Sequence, residues 1–290
     1  MTADSPARTT ARVAALTLYP LKSTAGIEVD TLSLDDRGAV GDRRWLLVDP
    51  AGEAITARET PRLLTLRPQF ATNDRDGALA LHAPNLPVCV VPVPDAAAPL
   101  RQVTIWGDAV SALDAGDDVA AWCSDAIGRA ARLVRLDDGA ARPLKPKYAG
   151  PLPSAGRRVA FTDGAPLMLL GLASIAHLEE RLKAGGQALP MDRRRFRANI
   201  WLSHTAPHEE DQWRRITIGR VDLGVGSLCT RCVLTTVDPD TQEKGVEPLR
   251  EFAAYRRVPD GVAFGVNATH VAAGTLQVGD EVHIHETRAP

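Results

Sequence analysis

The N-terminal part of this chain begins one strand-like apolar run after another and stops each at a turn residue. No other feature narrows the possible folds as far. Arg12–Tyr19 (RVAALTLY) halts at Pro20, which cannot donate to a β-ladder. Arg44–Val48 runs into Asp49-Pro50-Ala51-Gly52, and Arg62–Leu66, Val88–Val93 and Val103–Trp106 follow between further Gly, Pro and Asp residues. Short strands punctuated this way predict a β-rich unit of the barrel kind, with few helices. At Asp117 the period changes. Val119, Trp122, Cys123, Ala126, Ile127 and Ala130 fall on one face at helical spacing, and Asp117 and Asp118 stand at the N-terminal end, where the helix dipole favours acids. Cys123, and Cys89 in its alternating apolar run, read as core packing.

Residues 138–158 are rich in Pro, Gly, Lys and Arg and have no period, the expected loop between two units. Ser174 is expected to cap a second helix, with Ile175, Leu178 and Leu182 on one face and an end near Gly185-Gly186. His177 reads as a packing or surface residue of that helix. The remainder is strand-like: Asn199–Leu202, Ile216–Ile218, Val221–Val225, Val233–Val237, Val262–Val266 and Glu281–Ile284. His283 and His285 share a face of the last of these and read as exposed edge residues.

At 290 residues the chain suffices for two ordinary domains, and its 44% hydrophobic and 24% charged residues are those of a soluble globular protein. The formal charge of -2 argues against a nucleic-acid binder. No run approaches the ~18 apolar residues of a membrane span. The opening MTADSPARTT lacks the apolar core of a signal peptide and is expected to be a short disordered tail. Four cysteines make no disulfide framework in a chain this long, so a reducing compartment, the cytoplasm, is expected.

Cys229 and Cys232 stand in the stretch Gly226–Gln242, with Arg231 between them. Zinc would want a second pair of ligands, and Cys89 and Cys123 stand alone. A thioredoxin-like dithiol would want a helix N-terminus, whereas the β-branched Val233, Thr235, Thr236 and Val237 favour a strand. The remaining reading is a single thiolate used as metal ligand or nucleophile, with Arg231 alongside to favour its charged form. Lys22-Ser23 is not a Walker A motif, because Leu16 and Leu21 occupy the positions of its glycines.

The string C-T-R-C-V-L-T-T-V-D-P-D-T, with E-P-L further on, resembles the signature of the molybdenum cofactor sulfurase C-terminal (MOSC) domain family, and within it the amidoxime-reducing components and their bacterial relatives. That resemblance implies an α+β, β-rich fold: an N-terminal MOSC β-barrel domain over 12–137 after a tail at 1–11, a linker at 138–158, and a MOSC β-barrel with a few helices over 159–287. It implies molybdenum cofactor as the bound group, with Cys232 as the metal's protein ligand and Arg231 beside it. Y-P-L-K-S and D-R-R-W are similar to the family's N-terminal motifs, which gives Lys22, Ser23 and Arg43 the cofactor's phosphate. These supply charge-assisted donors suited to a dianion. T-A-R assigns Arg58 to the pterin or its dithiolene side. R-F-R-A-N-I, with Ala198 in place of the family's proline, makes Arg197 and Asn199 contributors from the second domain; the run Arg193–Arg195 reads as a solvated basic face. In F-T-D-G-A-P-L the family pattern assigns Asp163, Gly164 and Ala165 to the phosphate. Relatives carry hydroxyl-bearing residues where Gly164 and Ala165 stand here, so only backbone N–H groups remain for that contact.

The function so implied is molybdenum-cofactor-dependent reduction of N-hydroxylated small molecules, with electrons from a separate ferredoxin-, flavodoxin- or cytochrome-type protein. Two other classes stay open: a sulfur carrier holding a persulfide on Cys232, and a non-catalytic carrier of the cofactor.

Overall fold

A computed structural model of the protein describes residues 11–187 and 191–288. Its largest element is a nine-stranded sheet. Taken across, this sheet runs Val282–Thr287, Trp213–Ile218, Val221–Thr230, Gly261–His270, Leu167–Gly171, Ile200–Ser203, Arg12–Leu18 and Ile27–Val29, with Arg257–Val258 paired beside Gly261–His270. Leu167–Gly171 and Ile200–Ser203 pair in parallel, and the helix Leu172–Ala184 lies in the crossover between them. A four-stranded sheet (Trp45–Val48, Arg132–Leu136, Asp108–Asp114, Leu100–Ile105) and a three-stranded one (Arg67–Phe70, Leu79–His82, Cys89–Val91) form the N-terminal unit. The helix Asp117–Ile127 covers their core with Val119, Cys123, Ala126 and Ile127. The fold is β-rich with few helices, as the punctuated runs imply.

Two strands cross between the halves. Arg12–Leu18 pairs antiparallel with Ile200–Ser203 inside the large sheet, and Gly274–Gln277 pairs antiparallel with Thr31–Asp35. The N-terminal residues before Ala11 lie outside the described region. Ala11 itself, expected in the tail, is buried, and its carbonyl accepts the Val282 N–H at 2.8 Å.

Three expected elements differ. Arg62–Leu66 is not a strand: Pro61–Thr65 forms a 3₁₀ turn, begun by a proline whose missing N–H costs nothing there, with Leu63 and Leu66 both buried three residues apart. Val233–Val237 is likewise a 3₁₀ turn over Val233–Thr236. Its threonines bond their own turn, Thr235 Oγ1 to the Cys232 carbonyl at 3.0 Å and Thr236 Oγ1 to the Val233 carbonyl at 2.8 Å, so local side-chain bonding outweighs their β preference. Ser174 is not a helix cap. The helix starts two residues earlier, and the buried Ser174 hydroxyl donates to Glu210 Oε1 at 3.0 Å while accepting the His208 N–H at 2.8 Å.

The linker at 138–158 contains a docked helical turn, Pro146–Ala149. Cys123 is fully buried, and Cys89 is half-buried against the same cluster. His177 packs edge-on against His208, and His283 and His285 lie exposed on the sheet's edge strand. Among the described residues no helix is long and apolar enough to cross a membrane.

Candidate functional site

The chain after the first strand turns at Pro20 and is zipped to the segment ahead of Trp45. The Arg43 N–H donates to the Tyr19 carbonyl at 2.8 Å, Trp45 N–H to Pro20 at 3.1 Å, and Lys22 N–H to Trp45 at 3.0 Å. The Phe161 N–H then donates to the Arg43 carbonyl at 3.0 Å, which brings in residues 161–165 from far along the chain. Ser23, Arg43 and Arg197 all hold left-handed backbone, with φ of +68°, +49° and +58°. Non-glycine residues accept that conformation only where surrounding bonds enforce it, and such strain collects at functional sites.

These segments enclose a cavity of about 250 Å³. Its wall contains Lys22, Ser23, Arg43, Arg58, Asp163, Gly164, Ala165, Arg197, Asn199, Arg231 and Cys232, so every residue singled out by the motifs meets in one place. Among the described residues six cationic side chains line it (Lys22, Arg43, Arg58, Arg195, Arg197, Arg231) against a single carboxylate, Asp163, and the balance suits an anion.

Lys22 is buried, its ammonium donating to the Phe161 carbonyl at 2.8 Å and to Asp163. Burial pulls its pKa down to about 8, an effect that Asp163 only partly offsets. Desolvation by the surrounding cavity wall pushes the Asp163 carboxyl up, but Lys22 first, then Arg58 and Arg43, hold it well below the usual carboxylate range, although the side chain itself is exposed. Asp163 also accepts from Arg58 at 3.4 Å and from Trp106 Nε1 at 3.2 Å, so it occupies donors that an arriving anion would compete for.

Arg43 and Arg197 flank the Tyr19 ring, each guanidinium 4.3 Å from its centroid, and the Tyr19 hydroxyl donates to the Ala198 carbonyl at 3.2 Å. Attraction to the same aromatic ring offsets part of the repulsion between two cations from distant parts of the chain. Burial lowers the Arg197 pKa to about 10, which leaves it charged at neutral pH. Asn199 lines the cavity, yet its amide is consumed by the protein. It accepts from Arg43 at 3.0 Å and the Met168 N–H at 3.3 Å, and donates to Thr17 O and Asp42 Oδ1, both at 3.1 Å. It holds Arg43 rather than offering a free donor.

Cys232 is half-buried on extended backbone immediately before the 3₁₀ turn Val233–Thr236. Arg231 does not support its sulfur as expected. Its Nη1 donates to Cys229 Sγ at 3.1 Å and Met168 Sδ at 3.2 Å, and its Nη2 to the Phe196 carbonyl at 2.6 Å. Among the described residues no three His, Cys, Asp or Glu side chains cluster as a metal site. A metal on Cys232 would therefore take most of its ligands from a non-protein group. A soft sulfur in the same cavity wall as a cationic cradle fits a metal-dithiolene-phosphate cofactor, with Cys232 suited to the metal and the cations to the phosphate.

Arg195, expected on a solvated basic face, instead lines the cavity and donates to Asp238 Oδ2 at 2.7 Å. Sequence reasoning missed Trp106, Tyr148 and Met168. Trp106 and Gly107 form the tip of the hairpin Leu100–Ile105/Asp108–Asp114 with φ of +53° and +80°, and Arg58 stacks on the indole at 4.3 Å. The Trp-Gly pair between two alternating runs was the available signal. Tyr148 and Met168 carry none, since nothing local marks them as cavity-facing.

Two family models match the chain, "MOSC N-terminal beta barrel domain" over residues 10–130 and "MOSC domain" over 156–283. Mitochondrial amidoxime-reducing component 1 of Mus musculus is 31% identical over 293 residues, covering 94% of this chain and 82% of that protein. Mitochondrial amidoxime reducing component 2 of Rattus norvegicus is 33% identical over 285 residues, covering 92% and 81%. Molybdenum cofactor sulfurase of Oryza sativa subsp. japonica is 30% identical over 291 residues, covering 92% of this chain but 34% of that longer protein. With both models matched in order over a β-rich fold, and with the motif residues gathered around one cavity, this chain belongs to the MOSC-domain family, in the two-part form with an N-terminal MOSC β-barrel domain.

Proposed function

We propose that this protein is a molybdenum-cofactor-dependent oxidoreductase that reduces N-hydroxylated compounds such as amidoximes, hydroxamic acids or N-hydroxylated nucleobases. The observation that carries this reading is the single cavity joining the Cys232 sulfur to Lys22, Arg43 and Arg197. Similarity to amidoxime-reducing components supports the reaction class. Cys232 serves as the metal's protein ligand. Lys22, Ser23 and Arg43 hold the phosphate, with Asp163, Gly164 and Ala165 alongside it. Arg58 lies toward the pterin or dithiolene, and Arg197 adds charge from the second half. When bound, the cofactor supplies two-electron chemistry that removes the substrate's oxygen. The chain's own part is to bind, orient and desolvate: the burial of Lys22 strengthens its hold on an anion, and the Arg43–Tyr19–Arg197 stack presets the cradle before any ligand arrives.

Electrons come, in this reading, from a separate ferredoxin-, flavodoxin- or cytochrome-type protein, and the thiolate asks for a reducing compartment such as the cytoplasm. Because the names of the mammalian relatives place them in mitochondria, fractionation of the native cells is the check on location. The function is tested by elemental analysis for molybdenum and fluorescence of the oxidised pterin on freshly purified protein, followed by amidoxime reduction with an artificial donor. Absence of both metal and pterin from protein made in molybdenum-replete cells would overturn it. Similarity to molybdenum cofactor sulfurase favours one second reading, persulfide carriage on Cys232. That reading predicts labile sulfur on Cys232 and no tightly bound molybdenum. A cofactor carrier would hold the pterin and show no turnover.

A further inference from the structure

Tyr148 belongs to the Pro-rich segment that reads as a linker, yet its side chain lines the cavity beside Asp163, Gly164 and Ala165. Its backbone is anchored at both ends of the residue. The N–H donates to the Lys145 carbonyl at 3.0 Å, and the carbonyl accepts from Thr269 Oγ1 at 3.1 Å. Two glycines allow the docking of this segment on the strand Val221–Thr230. A Cβ on Gly226 would lie 2.4 Å from the Tyr148 carbonyl oxygen, and one on Gly150, at φ +63°, would lie 2.6 Å from the Val225 carbonyl oxygen.

The ring is placed as closely as the backbone. The Lys147 ammonium lies 5.1 Å from the ring centroid. On the cavity side, a Cβ on Gly164 would lie 2.2 Å from Tyr148 Cζ and 2.6 Å from its hydroxyl oxygen. Contacts that short exclude any side chain at 164 while the aromatic ring of Tyr148 stands there. The Tyr148 hydroxyl has no hydrogen-bond partner among the described residues, although it stands next to the segment whose Asp163 takes up Lys22. A phenol O–H over Gly164 with no partner among the described residues, in a wall with this excess of cations, is free to donate to an anion.

We infer that Tyr148 is a binding residue of this cavity, its phenol donating to the oxyanion gripped by Lys22 and Arg43 in place of the hydroxyl that residue 164 cannot carry. The inference rests on the cofactor reading for which oxyanion that is, the cofactor's phosphate, and on the cavity's own charge for its chemistry.

The test uses the full-length chain prepared free of pterin, titrated with inorganic phosphate by calorimetry, in three forms: parent, Tyr148→Phe, and Tyr148→Ala combined with Gly164→Ser. Tyr148→Phe keeps the ring over Gly164 and removes only the hydroxyl. It should weaken phosphate about tenfold without moving the unfolding midpoint measured in the absence of phosphate. The double variant clears the space and returns a hydroxyl at 164, and should recover most of the affinity. Pterin content of protein purified from cofactor-producing cells should fall and recover in the same order. Equal phosphate affinity in the parent and Tyr148→Phe, or no phosphate binding by the parent, would overturn the inference. Parent protein that binds phosphate but carries no pterin would remove the cofactor reading alone, while the phosphate series still decides the role of Tyr148.

Discussion

Lys22 is the residue on which the anion site turns, because its charge is held under protest. Burial lowers its pKa from the ordinary lysine range to about 8, so the folded protein binds this proton less tightly than the unfolded chain does. From about pH 8 up to the unfolded value near 10.4, the unfolded chain carries more protons on this group, and its contribution to stability rises with pH. Anion affinity runs the other way, since it needs the ammonium. Sulfate, which does not titrate in this range, should bind about tenfold more weakly at pH 9 than at pH 7, and Lys22→Met should abolish that dependence along with most of the binding. The two cysteines separate at the same scale. Cys232→Ala should remove molybdenum and turnover together. Cys229→Ala should keep the metal, because it deprives Arg231 of one of three acceptors while Met168 and Phe196 remain. Full metal content and full turnover in Cys232→Ala would end the assignment of that sulfur.

Elements were legible wherever one periodicity ran long enough to be decided by burial. Arg12–Leu18 emerged as an apolar run stopped by Pro20, and Asp117–Ile127 because a three-to-four repeat matches a buried face. Pro61–Thr65 and Val233–Thr236 did not, since a short apolar run with β-branched residues fits a strand and a 3₁₀ turn equally well; threonine hydroxyls bonding their own carbonyls settled the second. Glycines test the docking of Pro146–Ala149. Gly226→Ala forces a methyl against the Tyr148 carbonyl and should lower stability by about 1–3 kcal/mol, read as a shifted urea midpoint with unchanged slope. Gly245→Ala, whose Cβ would meet nothing nearer than 3.6 Å, should stay within about 0.5 kcal/mol of the parent. Similar losses from both substitutions would mean that the close approach at Gly226 does not hold the helical turn in place.

At the scale of the molecule, the two halves are stitched rather than merely apposed. Arg12–Leu18 sits in the large sheet, Gly274–Gln277 completes a small sheet with Thr31–Asp35, and Asn199 bonds Arg43 and Asp42 across the site. Neither half can open without breaking β-ladders of the other, so thermal unfolding should be one transition with equal calorimetric and van't Hoff enthalpies. Phosphate at a hundred times its Kd should raise the stability of that single unit by about 2.7 kcal/mol. Two resolved transitions, with phosphate moving only one, would show that the halves are independent.

The chain's own order of residues determined the β-rich class, a helix starting at Asp117 (it ends at Ile127, short of the Ala130 that the repeat included), and the motif residues that carry cationic and thiol chemistry. Each of these is a local property, written in spacing and residue type within a few positions. Only the tertiary structure decided that Lys22, Arg43, Asp163, Arg197 and Cys232 share a wall, that Arg231 serves Cys229, and that Tyr148 fills the space over Gly164. Those facts depend on which strands pair and on which backbones pass within contact distance. Long-range pairing is selected by the burial of whole faces, so no short stretch of sequence contains it.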